Sequence, residues 1–331
     1  MKMNRVLSLL LAVCLIAMGA AFGEGAFPMA VTDAAGREVV IEAAPEKLVS
    51  GYYISTSVLI ALGLEDKLVG IEAKAKSRPI YALAAPELID LPNVGTAKEF
   101  DMETCLSLEP DLVVLPLKLK DAAATLEEMG VNALLVNPED LSLLKDTVTL
   151  LSTATGTDGS ALLRFYDEKE TFLMELLADA ECPSVYLAGN SSYLSTAGEA
   201  MYQNTLIDLG GGTNVAAEIA DNYWTEISYE QLLAWNPEVI VIAAEAEYTK
   251  DDLLADEQLK DVDAVVNGRV YALPDSIEAW DSPVPGALLG SLWMANALHE
   301  DQYSWEQFTA DAADFYRVFY GIEIDESLLI K

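Results

Sequence analysis

The chain has 331 residues, of which 52% are hydrophobic and 22% are charged, so it can bury a sizeable core, and its length suggests two domains. Its formal net charge is −35, and so acidic a surface argues against nucleic acid or an anionic membrane face as a partner. Because only 19 residues are lysine or arginine, a local cluster of them stands out as a candidate binding feature.

The N-terminal segment has the pattern of a secretory signal peptide. Lys2 and Arg5 precede the apolar stretch VLSLLLAVCLIAMGA, and small residues follow in AAFGEGA. This pattern predicts a signal peptide over residues 1–23, with cleavage between positions 20 and 26. An uncleaved anchor stays open, and so does lipid attachment at Cys14, although Val13 stands where that attachment usually has a small residue. No later stretch has the roughly 20 apolar residues of a membrane helix, so we expect an exported, soluble protein.

The first half of the chain alternates β-rich runs with helical patterns. VTDAAGREVVIEAAPEKLVS has two such runs around turn residues, which predicts a hairpin. KLVSGYY and KLVGIEA predict strands on either side of the helical pattern ISTSVLIALGL. DMETCLSLE predicts a short helix with Asp101 as its N-cap, followed by the strand DLVVLP, the helix DAAATLEEMG and the strand VNALLVN. Residues 27–153 therefore predict an N-terminal lobe with a parallel sheet flanked by helices.

The second half begins with helical patterns and then returns to strands. From about residue 141 no strand signal occurs for some 40 residues, and we expect a connecting helix over residues 154–180. PSVYLAG, EVIVIAA and GRVYALP then predict strands. MYQNTLIDLG, YEQLLAWN, DDLLADEQLKDV and SWEQFTADAADFYRVFYG predict helices. Residues 181–331 therefore predict a second α/β lobe.

Two phrases occur twice in the same order. LIALG at 59–63 matches LIDLG at 206–210, and ETCLSLEPDLVVL from Glu103 matches EQLLAWNPEVIVI from Glu230. Helix–Pro–strand units arise by chance in α/β proteins, and one match would mean little. Two ordered matches around a long helix favour two homologous lobes.

The residues that metal or acid–base chemistry needs are scarce. His299 is the single histidine, near the last helix, and we expect it at the surface or at a helix end. A bare zinc or manganese site usually needs several imidazole or thiolate ligands, so we expect no metal site and no intrinsic cofactor. A catalytic triad would have to use this one histidine, so we expect no enzyme. Cys105 and Cys182 could pair after export, but we interpret them as two buried, inert thiols.

Nearly the whole mature chain resembles the substrate-binding proteins of ABC importers, in the class that joins two α/β lobes with one rigid helix. The resemblance lies in NVGTAKEFDMETCLSLEPDLVV, LIDLGGGTNVA, YEQLLAWNPEVIVI, VNGRVYALP and EAWDSPVPGALLGSLWMANALHEDQY, among others. It implies an α/β fold of two Rossmann-like lobes with central parallel sheets, joined by one long rigid α-helix, with the ligand cleft between the lobes. The class handles ferric siderophores, haem, cobalamin and some oxyanions.

The resemblance also implies a role for the repeated phrase. A Glu at its head lies on the outer tip of each lobe in this family and docks into basic pockets of a membrane permease. Those residues here are Glu103 and Glu230. Two separated carboxylates can give such a complex register and steering. The alternative is that each is only a first-turn charge stabilised by the helix dipole.

The ligand in this architecture lies against loops that leave the carboxyl ends of the strands. In lobe one these loops are 51–55, 72–81 and 116–120, and in lobe two they are 189–195, 221–224, 244–248 and 278–283. They carry two kinds of candidate ligand contacts. The basic ones, which would focus an anion, are Lys74, Lys76, Arg78, Lys118 and Lys120. The aromatic ones, which would form flat walls, are Tyr52, Tyr53, Tyr193, Tyr223, Trp224 and Trp280.

Among these, Tyr52, Arg78 and Trp280 are the first candidates, with solvated loop lysines and core aromatics as the alternative. A tyrosinate contact to ferric iron or haem stays open. We expect a monomer that captures an anionic metal chelate and delivers it to a permease dimer with its ATPase. A ferric siderophore leads, followed by haem or a corrinoid and then molybdate or tungstate. The alternative is an exported sensory or adhesive module with the same fold.

Overall fold

The computed structural model describes residues 27–221 and 223–329. The signal-peptide hypothesis for residues 1–23 and its alternatives lie outside these residues. No helix within the described ranges is long and apolar enough to cross a membrane.

The described chain opens with an antiparallel hairpin. Its strands are β1 (Met29–Thr32) and β2 (Glu38–Ile41), which pair around the expected turn. The Asp33 side chain organises that turn by accepting hydrogen bonds from the backbone N–H of Ala35 (2.9 Å) and of Arg37 (3.0 Å). It also accepts one from the N–H of Leu135 (3.1 Å), which attaches the hairpin to the neighbouring sheet.

The N-terminal lobe has a four-stranded, all-parallel sheet with helices around it. The strands are β3 (Leu48–Ser50), β4 (Leu68–Gly70), β5 (Leu112–Pro116) and β6 (Asn132–Val136), in the order β4-β3-β5-β6. The helices are α1 (Tyr53–Ala61), α2 (Pro79–Ala84), α3 (Met102–Ser107), α4 (Lys120–Glu128) and α5 (Leu141–Thr155). Each strand is almost fully buried, which explains why its sequence is continuously apolar rather than alternating.

The C-terminal lobe repeats this design. Its strands are β7 (Ser184–Ala188), β8 (Ser195–Thr196), β9 (Thr213–Asn214), β10 (Thr225–Glu226), β11 (Val239–Ile242) and β12 (Val270–Ala272). Four of them form a parallel sheet in the order β9-β7-β11-β12, and β8 pairs with β10. The helices are α7 (Tyr202–Leu209), α8 (Tyr229–Trp235), α9 (Lys250–Leu254), α10 (Asp263–Val266), α11 (Ala287–Leu298) and α12 (Trp305–Phe319).

The two parallel sheets have the same topology. When only the strands of each four-stranded sheet are counted along the chain, the order is second, first, third and fourth strand in both. Each copy of the repeated phrase forms a short helix followed by the third strand, α3 before β5 and α8 before β11. The two-lobed fold expected from the repeats is therefore confirmed.

One helix, α6 (Ser160–Leu176), connects the lobes. At 1.5 Å per residue it is about 25 Å long. It is shorter than the expected 154–180, because Gly156 takes a left-handed conformation (φ +71°) and ends α5. A single continuous cluster of buried apolar side chains includes Leu48 of the first sheet, Tyr166 of α6 and Leu187 of the second sheet. The lobes therefore share a core through α6.

The α6 helix also holds the long loop between β12 and α11. The hydroxyl of Tyr166 donates a hydrogen bond to the backbone carbonyl of Pro285 (3.0 Å), and both groups are buried. Asp281, Ser282 and Pro283 of this loop line a cavity together with residues of the N-terminal lobe, so this bond helps to fix the loop's position.

We expect Tyr166→Phe to lower the free energy of unfolding by about 1–3 kcal/mol, because it leaves a buried carbonyl without a donor. Chemical denaturation of the folded protein measures this loss. Tyr223→Phe is the matched control, since Tyr223 is 71% exposed and should change stability by less than about 0.5 kcal/mol. Equal denaturation midpoints for wild type and Tyr166→Phe would contradict the assigned role of this hydrogen bond.

Candidate ligand-binding cleft

A cleft of about 840 Å³ lies between the lobes, where loops at the carboxyl ends of both sheets meet. The N-terminal lobe contributes Ala34, Ala35, Tyr52, Tyr53, Ile54, Leu117, Lys118, Lys120, Asn137 and Glu139. The C-terminal lobe contributes Ala200, Met201, Tyr202, Gln203, Tyr223, Asp281, Ser282 and Pro283. A second cavity of about 470 Å³ lies between β1 and α5 on the flank of one lobe, and its lining has no lysine, arginine or aromatic side chain. The interlobe cleft is the better candidate site.

Tyr52 and Tyr53 stand at the start of α1, and their rings meet edge to face with centroids 5.2 Å apart. The hydroxyl of Ser55 donates to the Tyr52 carbonyl (2.8 Å), which fixes the backbone at this turn. Burial raises the pKa values of both tyrosines above the ordinary value. Both hydroxyls therefore stay protonated near neutral pH and can serve as neutral hydrogen-bonding groups.

Lys118 and Lys120 supply the positive charge of the cleft. Lys118 lies in the turn between β5 and α4, Lys120 is the first residue of α4, and both are exposed. Within the described ranges neither takes part in an ion pair, so both ammonium groups are available to an anion.

Arg78 does not line the cleft, contrary to its expected first rank among the ligand contacts. Its guanidinium lies 3.6 Å from Glu245 of the other lobe and stacks on the Tyr53 ring, 4.1 Å from the centroid. Arg78, Glu245 and Tyr53 line a small cavity beside the cleft, and Tyr53 also lines the cleft itself, so its ring lies between the ion pair and the cleft. The ion pair with Glu245 therefore connects the two lobes. It also leaves the positive charge of Arg78 paired and not directed at a ligand in the cleft.

The structure does not bring the other expected lysines to the cleft either. Lys74 and Lys76 are exposed on the loop after β4 and do not line the cleft. The cluster of five basic residues is thus divided into a cleft pair, an interlobe arginine and two solvated lysines.

The expected aromatic residues are divided in the same way. Tyr223 lines the cleft and is largely exposed, whereas Trp224 is half-buried and packs on the core. Tyr193 packs outside the cleft and donates to Asp256 (2.8 Å). Trp280 is a core residue, 1% exposed, and its indole N–H donates to the Tyr316 hydroxyl (2.8 Å).

The sequence analysis did not predict several of the residues that line the cleft. Asn137 and Glu139 follow β6 and line the cleft. The predicted cleft loops of the first lobe, 51–55, 72–81 and 116–120, do not include the loop after this strand. Tyr202 and Gln203 begin α7 and reach the cleft from a helix rather than from a strand end. The rule that located the other loops would have found the first pair, and nothing in the sequence pattern marks the second.

Two buried carboxyl groups hold the loop between β12 and α11. The Glu278 carboxylate accepts hydrogen bonds from the hydroxyls of Tyr320 (2.8 Å) and Tyr316 (3.2 Å). The Asp281 carboxylate accepts one from the backbone N–H of Ala244 (3.0 Å). Burial raises the pKa of each to about 7. Of the two, only Asp281 lines the cleft.

The first turns of α3 and α8 carry Glu103 and Glu230, and both side chains are exposed. Asp101 caps α3 as expected, by accepting from the N–H of Thr104 (2.9 Å). Hydrogen bonds from its own backbone N–H and from Ser228 lower the pKa of Glu230, so this side chain is ionised near neutral pH. The two glutamates thus occupy equivalent, solvent-facing positions in the two lobes.

The cysteines and the histidine lie away from the cleft. Cys105 is buried and Cys182 is exposed, and both are free thiols. The expectation of two buried thiols is wrong for Cys182, which lies on the surface loop between α6 and β7. His299 ends α11 as expected but is buried, with Nε2 3.0 Å from the Gly211 carbonyl oxygen. In the described part of the chain, no group of three His, Cys, Asp or Glu side chains could hold a metal ion.

Similar proteins include binders of several ligands. The molybdate-binding protein MolA of Haemophilus influenzae is 25% identical over 320 residues, which cover 88% of this chain and 90% of MolA. A cobalamin-binding protein of Halobacterium salinarum is 22% identical over 284 residues, covering 82% of this chain and 74% of that protein. The Fe(3+)-citrate-binding protein YfmC of Bacillus subtilis is 24% identical over 289 residues, covering 82% and 89%.

The fold is shared as well. The solved structure of MolA bound to molybdate, described as the cognate periplasmic binding protein of an ABC transporter, superposes with a TM-score of 0.76 at 20% identity. The match covers 90% of this chain and 99% of that one. A model of the family described as periplasmic binding protein matches residues 48–277, more than half of the chain. By this match and by its two-lobed fold, the chain belongs to the periplasmic binding protein family.

Proposed function

We propose that this protein is the extracytoplasmic substrate-binding protein of an ABC importer and captures an anionic, metal-containing ligand for delivery to a membrane permease. The signal-like segment at 1–23 would export it. The observation that supports this function best is the interlobe cleft, which is lined by two lysines without an ion-pair partner among the described residues, by tyrosine and amide groups of both lobes, and by the carboxyl groups of Glu139 and Asp281.

An iron chelate, such as a ferric siderophore or ferric citrate, is the lead ligand, with molybdate or tungstate and then haem or a corrinoid after it. Fe(3+)-citrate and molybdate, the ligands in the names of two relatives, are both metal-containing anions. The cleft volume leaves room for a chelate larger than a bare oxyanion. The raised pKa of Tyr52 disfavours tyrosinate ligation, so the metal would arrive already chelated.

Tryptophan fluorescence can test the ligand class directly. Trp280 lies next to Asp281, and Trp224 follows Tyr223, so both indoles are close in sequence to cleft residues. Saturable quenching by one class among ferric chelates, haem, cobalamin, molybdate and tungstate would identify the ligand, with an inner-filter control for coloured ones.

Capture should need little movement of the lobes. They share one buried core through α6, and the Arg78–Glu245 ion pair bridges them beside the cleft. A largely preformed cleft saves the ordering cost of binding.

Lys118→Ala and Lys120→Ala should each raise the Kd for an anionic ligand about tenfold, because each removes one unpaired cation from the cleft. Titration calorimetry measures the change. The loss should shrink at high salt, since the lost attraction is electrostatic and exposed.

Lys74→Ala is the matched control, since it removes the same charge from an exposed loop that does not line the cleft. Its Kd should stay at the wild-type value. An equal loss in the control would mean that net charge, and not the cleft lysines, governs affinity.

Docking to the permease would use Glu103 and Glu230. The double variant Glu103→Lys/Glu230→Lys should abolish uptake while the Kd of the ligand stays unchanged, because both side chains are exposed and do not line the cleft. Uptake of labelled ligand by cells that carry the transporter measures the loss.

Glu128→Lys/Asp261→Lys makes the same charge change at exposed positions, one in each lobe, and uptake should survive it. Uptake that persists in the Glu103/Glu230 variant would remove the docking assignment. Signalling or adhesion that continues after deletion of the permease would point instead to an exported sensor or adhesion module.

A further inference from the structure

Asp281 is a buried carboxyl group on the wall of the cleft without a cationic partner. The residue is 5% exposed, and its carboxylate accepts hydrogen bonds from the backbone N–H of Ala244 (3.0 Å) and from its own backbone N–H. Its backbone carbonyl is held by the side-chain amide of Gln203 (2.8 Å). Among residues 27–221 and 223–329, no lysine or arginine forms an ion pair with it.

The charged groups near Asp281 are the carboxylates of Glu245 and Asp275 and, beyond Glu245, the guanidinium of Arg78 that pairs with it (3.6 Å). After burial, which raises its pKa to about 7, the carboxylates of Glu245 and Asp275 act in the same direction. Tyr53, from the other lobe, and Tyr202 of α7 are the neighbouring titratable groups, and both stay protonated near neutral pH.

A second negative charge inside this space would be costly while Asp281 is ionised. Carboxylates that share a poorly hydrated site cannot both stay charged, and a proton taken up by one removes the repulsion. The lysines of the cleft lie on the N-terminal lobe and are solvated, whereas Asp281 belongs to the C-terminal lobe. An anion that spans the cleft therefore meets the two lysines and the exposed Glu139 on one side and the buried carboxyl group of Asp281 on the other.

We propose that Asp281 binds the ligand as a carboxylic acid, by donating a hydrogen bond to an anionic oxygen of the ligand, so that each capture event takes up one proton. This inference rests on the proposed function. It narrows the ligand to an anion with unprotonated oxygen acceptors, such as an oxyanion or a chelate with peripheral carboxylates. No bond other than the O–H···O contact forms, and the proton comes from the solvent.

The sign of the pH dependence follows from this assignment. Below about pH 7 the carboxyl group is already protonated, and affinity for the anion should be constant. Above it, the Kd should rise about tenfold for each pH unit, because binding then requires protonation.

Three variants distinguish the effect of a hydrogen-bond donor at position 281 from the effect of a negative charge in the cleft. Asp281→Asn supplies a permanent N–H donor and should bind with the low-pH affinity of wild type at every pH. Asp281→Ala has neither donor nor charge, so its Kd should be pH-independent and weaker than that of the Asn variant. Glu139→Gln removes a carboxylate from an exposed position of the same cleft, so it should tighten binding at all pH values and keep the wild-type pH dependence.

The experiment is titration calorimetry with molybdate and, separately, with ferric citrate, from about pH 6 to about pH 8.5, in buffers of different ionisation enthalpy. Molybdate is the cleaner probe, since it stays fully deprotonated over this range. We expect uptake of about one proton per anion by wild type at the alkaline end, and none by Asp281→Asn. Affinity that rises with pH, or an Asp281→Asn variant that binds more weakly than wild type at every pH, would overturn the proposal.

A ligand-free measurement makes the result independent of the probe. The raised pKa means that the folded protein binds more protons than the unfolded chain between about pH 4 and about pH 7. The contribution of this protonated carboxyl group to the free energy of unfolding is thus fully present below about pH 4. It is lost as the pH rises to about 7, because the group then loses its proton in the folded protein as well. As the pH rises over this range, the melting temperature of Asp281→Asn should increase relative to that of wild type. The titration of Glu278 affects the stability of both proteins equally and does not change this difference.

The possible failures are distinguishable. Parallel melting profiles of wild type and Asp281→Asn would show that the carboxyl group does not titrate there and would overturn this inference alone, as would pH-independent binding by wild type. Absence of binding by both anions at every pH, with all variants folded, would contradict the proposed anion capture and this inference with it.

Discussion

The parallel direction of the strands in both sheets is the constraint on which the rest of the structure depends. Because all four strands of a sheet run the same way, every loop at their carboxyl ends leaves from one edge. Tyr52 follows β3, Lys118 follows β5, Glu139 follows β6 and Asp281 follows β12, and all four line one space. The site is therefore a consequence of topology, since residues more than 200 positions apart meet without any local signal.

The loop between β12 and α11 is fixed by buried polar contacts at several points. Glu278 accepts from Tyr316 of α12 and from Tyr320 directly after this helix, Trp280 donates to Tyr316, and Tyr166 of α6 holds Pro285. Gly286 lies against the Glu278 carboxylate, where a Cβ atom would collide with it. A buried polar network destabilises the fold unless each of its polar groups has a hydrogen-bond partner. When all of them have partners, the network favours a single arrangement of the loop. The resulting rigidity suits a binding protein whose cleft is largely preformed.

Electrostatics in this chain are governed by the excess of carboxylates. With 54 acidic and 19 basic residues, a cation that reaches a partly buried position tends to meet an acidic partner, as Arg78 meets Glu245. Among the described residues, Lys118 and Lys120 have no such acidic partner, and both line the open cleft. The same excess places Glu245 and Asp275 near Asp281, where they add to the effect of burial and raise the pKa of its carboxyl group.

The sequence by itself determined the local elements and their repetition. Apolar runs, N-caps such as Asp101 and the two copies of the Glu phrase are readable, because they depend on neighbours within a few residues. It also placed Tyr52, Tyr53, Lys118 and Tyr223 on loops that reach the cleft, through the rule for parallel strands. Only the tertiary structure decided that Arg78 pairs across the lobes and that Trp280 lies in the core. The physical reason is that burial and ion pairing arise between segments far apart in the chain, for example the 167 positions between Arg78 and Glu245, and no local pattern encodes such partners.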